Sequence, residues 1–279
     1  MESLTRAGTA LILAVTMAGA ALSGTFALHG GKAMVTPHVA YSVDAGTTQL
    51  DIWQGTLEGD KPILHYTADM TKLMHMIAIS EDFTQFIHVH PAFNATTGHF
   101  TQALTLDPKH RYYVYTDSVP TGMSQQVFRY TIPAIARIAP FVPHLRAPGP
   151  LSDTSGPYAV TLASTTFKAD TMEMIGVTIT RGGKPATDLK PYLGAAAHAV
   201  FINTSTLDYI HVHPMVQGAM MNSSSMNMDM PMDDEHGMGM AGPKLMMHVP
   251  ALPAGTYRLW LQFEGGGELR VAAFTIAVR

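Results

Sequence analysis

One unit of seventeen residues is written twice in this chain, and no other feature restricts the possible folds as much. Residues 75–91 read HMIAISEDFTQFIHVHP and residues 198–214 read HAVFINTSTLDYIHVHP, aligned without a gap at an offset of 123. Further along, YYVYTDSVPTGMSQQVFRYTI (112–132) and YRLWLQFEGGGELRVAAFTI (257–276) both read as strand, Gly-containing turn, strand. The offset has grown by about 22 there, so the second copy carries an insertion. Self-similarity over so long a period marks a duplicated folding unit. Between the copies, prolines at 133, 140, 143, 148, 150 and 157 rule out a continuous sheet and suit a semi-rigid linker. The expected layout is an N-terminal segment (1–28), a first domain (39–133), a linker (134–157) and a second domain (158–279).

Stretches such as YAVTLAS, MIGVTIT, HAVFIN, YRLWLQF and VAAFTIAV are short, rich in β-branched and aromatic residues, and punctuated by RGGKP and EGGGE turns. No long helical period appears after the N-terminal segment. The fold class expected is all-β: two tandem immunoglobulin-like or cupredoxin-like β-sandwich domains.

At the N-terminus, Arg6 precedes an uncharged run whose centre is TALILAVTMAGAAL, followed by small residues at Ala18-Gly19-Ala20. That is the pattern of a signal peptide, and the run is also long enough for a membrane anchor. The chain is therefore expected to be exported, to the periplasm or the outer face of the cytoplasmic membrane. A net charge of −4 without a basic block gives no electrostatic footprint for nucleic acid. The absence of cysteine excludes disulfides, thiolate metal sites and a thiol nucleophile.

Imidazole and thioether ligands remain. Alternate side chains of a strand share a face, so His211 and His213 point one way, as do His88 and His90. A hairpin turning at Thr204-Ser205 sets His198 opposite His211, and one turning at Glu81-Asp82 sets His75 opposite His88. Each domain would then gather three imidazoles, the commonest protein metal ligand. His248 is a candidate fourth ligand in the second domain, and His99 holds a loosely comparable place in the first. No glutamate follows either His-x-His as a cupin site requires. No catalytic triad, paired-carboxylate site or phosphate loop stands out, and the expectation is a protein that is not an enzyme.

The insertion, 218–248, concentrates ten of the twenty methionines between 220 and 247 among Ser, Asn, Asp and Gly. Met226, Met228, Met230, Met232, Met238 and Met240, with His236, present soft donors that favour Cu(I), and by the same argument Ag(I). Copper, as Cu(I) or Cu(II), is thus the expected metal, with copper-transport or copper-tolerance proteins as partners. The competing expectation is a structural or adhesive module whose Met-rich loop docks a partner.

The stretch GVTITRGGKPATDLKPYLGAAAHAVFINTSTLDYIHVHP, with GTYRLWLQFEGGGELRVAAFTIAV, resembles a group of exported bacterial domains with the pattern YLGAxGHxV…YxHxHP…GxYRLxxxF. The resemblance covers the second domain apart from the insertion, and the first domain is similar to a companion version. It implies an immunoglobulin-like fold and an association with copper or heavy metals. It also implies metal roles for His198, His211 and His213, matched by His75, His88 and His90. Ala196-Ala197 stand where the pattern usually has glycine before the histidine.

Overall fold

The computed structural model describes residues 20–44, 46–136, 148–218 and 241–279, and among these the regular structure is all strand. Each half of the chain makes two sheets that face each other. In the first half the outer sheet runs in the order Ala20–Ser23, Val35–Asp44, Thr47–Thr56, His99–Thr105, Ala92–Asn94. The inner sheet runs Thr25–Phe26, Gln126–Ile132, Tyr112–Pro120, Met74–Ser80, Phe86–Val89. The second half repeats this. Its outer sheet is Ser152–Ser155, Tyr158–Leu162, Glu173–Arg181, Lys244–Val249, Met215–Val216, and its inner sheet is Thr166–Phe167, Glu268–Val278, Gly255–Gly265, His198–Asn203, Tyr209–Val212. Neighbouring strands are antiparallel, except that Thr166–Phe167 pairs in parallel with Ala277 and Val278.

Each pair of sheets encloses its own apolar core. Ile52 and Phe100 of one sheet meet Met76, Val114 and Phe128 of the other in the first half. Val160, Ile179 and Met247 meet Phe201, Leu259 and Phe274 in the second. Strands that fill one core on one face usually wet the other. Met74–Ser80 and His198–Asn203 do not: every residue of both is buried. Their second faces meet each other. Ile77, Ile79 and Tyr115 of the first inner sheet pack with Val200, Ile202, Tyr209 and Trp260 of the second in a third apolar cluster.

This interface has a local two-fold character. Tyr115 lies beside Ile77 in its sheet, as Trp260 lies beside Val200. Tyr115 stacks on Tyr209 at 5.3 Å, and Trp260 stacks on Phe86 at 5.2 Å. Each half thus lays the aromatic of its central strand over the edge-strand aromatic of the other, the reciprocal pattern of an isologous contact. The Tyr115 hydroxyl donates to the Leu207 carbonyl at 3.0 Å.

The unit boundaries differ from the expectation in two places. Ala20–Ser23 and Thr25–Phe26, inside the segment read as an export signal or anchor, belong to the sheets. Ala27 is buried between the halves, donating its N–H to Val127 while its carbonyl accepts from Tyr209. The second unit starts at Ser152, because Ser152–Ser155 pairs with Tyr158–Thr161 before the first expected strand is complete. Among the described residues no helix is long and apolar enough to cross a membrane; residues 1–19 lie outside them.

Candidate metal centre

The hairpins that carry the histidines are built as the repeat implies, but shifted by two residues. Val200 pairs with His211 and Ala199 with Val212, which brings His198 level with His213 rather than His211. Likewise Ile77 pairs with His88 and Met76 with Val89, so His75 is level with His90. The cause is a wider loop: Ser80 N–H bonds to the Gln85 carbonyl and Asn203 N–H to the Asp208 carbonyl, leaving four residues in each turn. A shift of two keeps the parity of side chains, whereas a shift of one would send them to the opposite face. All three histidines of each hairpin therefore remain on the face that meets the other half.

That face changes the stoichiometry of the site. Instead of one triad per domain, the two triads meet at the interface and form a single cluster. One ligand nitrogen from each of His75, His88, His198 and His211 falls within a mutual distance of 4.8 Å. Across the interface the ring centroids of His75 and His211 are 5.0 Å apart, and those of His88 and His198 are 5.2 Å apart. His90 and His213 flank the four, with His90 Nε2 at 3.1 Å from His75 Nδ1.

The hydrogen bonds behind the rings decide which nitrogens face the centre. His75 Nε2 donates to the Asp69 carbonyl at 3.1 Å, and His198 Nε2 donates to the Tyr192 carbonyl at 3.0 Å. Both carbonyls lie six residues ahead of the histidine, in tight loops closed by the Asp69–Lys72 and Tyr192–Ala195 bridges. A carbonyl only accepts, so in the neutral rings Nδ1 of His75 and His198 keeps its lone pair. His88 Nδ1 donates to Gln262 Oε1 at 2.8 Å, and His211 Nδ1 faces Asp117 Oδ2 at 3.7 Å. These leave Nε2 as the inward atom of both. Such carboxylate, amide and carbonyl partners orient metal-bound histidines and fix their tautomers.

Gln262 and Asp117 occupy equivalent positions, level with His198 and His75 in their own sheets. Each serves a histidine of the other half. The Asp117 carboxylate accepts from Gln125 Nε2 at 2.8 Å and from the Tyr209 hydroxyl at 3.2 Å. Burial holds Asp117 above the usual carboxylate range.

The spacing and the electrostatics fit an ion. His75 Nδ1 and His88 Nε2 are 3.2 Å apart, and His198 Nδ1 and His211 Nε2 are 3.3 Å apart. A tetrahedral ion about 2.0–2.1 Å from each nitrogen sets its ligands about 3.3 Å apart. Two lone pairs at that distance repel unless a proton or a metal ion lies between them. Burial and the neighbouring imidazoles make the proton costly: His198 is pushed down to about 4, chiefly by burial, and His90 to about 3. His213 falls to about 2, and His88 and His211 are driven down as well. A group of neutral imidazoles aimed inward is the donor set for a transition-metal ion.

The other sequence candidates lie elsewhere. His248 is on Lys244–Val249 of the outer sheet, across the core from the cluster, so it is not a fourth ligand of that site. His99 bonds to Asp51 at 2.8 Å and stacks on Trp53 on the outer sheet of the first half. Met226, Met228, Met230, Met232, His236, Met238 and Met240 lie outside the described residues. Asp117 and Gln262 were missed from the sequence, yet the 112–132/257–276 alignment already superposes them as polar interruptions of apolar strands.

Comparison with known proteins gives little more than the boundary of the second unit. No curated protein matches the chain. Residues 152–279 match the family model described as Domain of unknown function (DUF8832). The matched segment begins where the second sandwich begins and contains His198, His211 and His213, half of the histidine cluster.

Proposed function

We propose that this protein is an exported, non-catalytic copper-binding protein, which holds the ion between its two halves for sequestration, tolerance or delivery in the cell envelope. The observation that carries the proposal is the convergence of four imidazole nitrogens, two from each half, within 4.8 Å. Divalent affinity at nitrogen sites peaks at copper. The methionine-rich stretch 218–248 adds soft thioether donors suited to Cu(I), and to silver. Non-catalytic holding is favoured by the enclosure of the cluster: His75 and His198 are each 1% exposed, and the packed interface leaves little room for a substrate beside the ion. Each half is read as an immunoglobulin-like or cupredoxin-like sandwich, and the apolar N-terminal run supports export. A copper-transport or copper-tolerance protein would be the donor or acceptor.

The test is metal analysis of the full chain after equilibration with Cu(II) and Zn(II) in competition, with electron paramagnetic resonance of the copper form. One tightly held copper per chain, with nitrogen superhyperfine splitting that disappears in His88→Gln and in His211→Gln, is expected. Binding that survives either substitution refutes the site, and retention of zinc in preference to copper refutes the metal.

A further inference from the structure

Methionine normally lies inside a protein, where its flexible thioether fills gaps. The outer sheet of the second half, with the residue leading into its strand Glu173–Arg181, exposes several to solvent. Met172, Met174 and Met215 are 63%, 44% and 36% exposed. Strand register gathers them. His248 pairs with Met174 on one side, while Met246 pairs with Met215 on the other, and Met246 and His248 share a face two residues apart. Met172 Sδ lies 2.7 Å from His248 Nε2. Opposite Met246 stands Gly176, so no side chain intrudes at that position. Lys244 and Thr178 end the row.

We propose that Met172, Met174, Met215, Met246 and His248 form a second, surface metal site that takes a soft monovalent cation, Cu(I) or Ag(I). Neutral thioethers with one imidazole select such ions over zinc, magnesium and calcium. Directly opposed side chains on a sheet have Cβ atoms about 4.5–5.5 Å apart, within the span of two methionines closing on one ion. The site is separate from the buried cluster: it lies on the opposite sheet of the sandwich, is open to solvent, and uses sulfur where the cluster uses nitrogen. Two of its strands, Met215–Val216 and Lys244–Val249, stand immediately before and after the methionine-rich insertion.

The experiment uses full-length protein labelled with carbon-13 at the methionine methyls, assigned by single Met→Leu variants and titrated with Ag(I), which is redox-inert. The methyls of Met172, Met174, Met215 and Met246 should shift together with the first equivalents. In Met174→Leu/Met246→Leu the shifts of Met172 and Met215 should be lost, while those of methionines in 220–240 remain. Zn(II) should produce no such shifts, and His88→Gln, which breaks the buried cluster, should leave the Ag(I) response intact. If the four methyls stay unmoved by Ag(I), or if those of Met172 and Met215 shift as much in the double variant as in the unsubstituted protein, the site does not exist.

Discussion

Acid should unfold the metal-free protein at a higher pH than the metal-loaded form, which starts from a stability raised by the binding free energy of its ion. The perturbation is a fall in pH from 7.5 to 5 after chelation. His198 and His213 titrate at about 4 and about 2 in the folded chain, pushed there first by burial, against about 6.5 in an unfolded one. A histidine whose folded value is depressed stabilises the fold fully only above the unfolded value, because below it the unfolded chain binds a proton that the folded chain refuses. Between neutrality and pH 5 each such histidine costs about 2 kcal/mol, so this pair costs about 4 kcal/mol. His88 and His211 are driven in the same direction and add to the loss. Against a typical stability of about 5–15 kcal/mol, that brings the apo protein close to unfolding near pH 5. The assay is urea denaturation at several pH values in a Trp53→Phe background, where the fluorescence reports Trp260, buried between the halves. A metal-free stability that is flat from pH 7.5 to 5 would refute the reading of these rings as neutral buried groups.

Further expectations rest on the same interface. Substituting Asp117→Asn removes the carboxylate facing His211 and should weaken copper binding by about 10–100-fold without unfolding the chain, as measured by chelator competition. Trp260→Ala empties the middle of the interface and should cost about 3–5 kcal/mol in denaturant titration. Val200→Asp places a charge in that cluster and should abolish the copper equivalent while each half keeps its strand content by circular dichroism. Copper stoichiometry should be one per chain, not one per repeat, by elemental analysis.

Much of this was legible in particular residues. The gapless repeat and the spacing of His88 and His90, and of His211 and His213, were enough to place the three histidines of each copy on one face. The exact hairpin register was not, because it depends on the four-residue turns closed by Ser80–Gln85 and Asn203–Asp208. HMIAIS and HAVFIN are apolar at both parities, which signals strands buried on two faces. Sequence alone does not say what covers the second face, since hydrophobic burial is non-directional. Hence two separate triads were expected where one shared cluster stands. His248 was misplaced for a related reason: proximity along the chain to the insertion carries no information about which sheet a strand joins.

The equivalence of Asp117 and Gln262 has an evolutionary reading. A single ancestral unit meeting its own copy would have carried the same residue behind both histidines, hence two buried carboxyls at the symmetry axis or none. Two copies in one polypeptide are under no such constraint. The two sides of the centre differ, one acid and one amide, so that an ion held there would meet a carboxylate behind its ligands from one direction only.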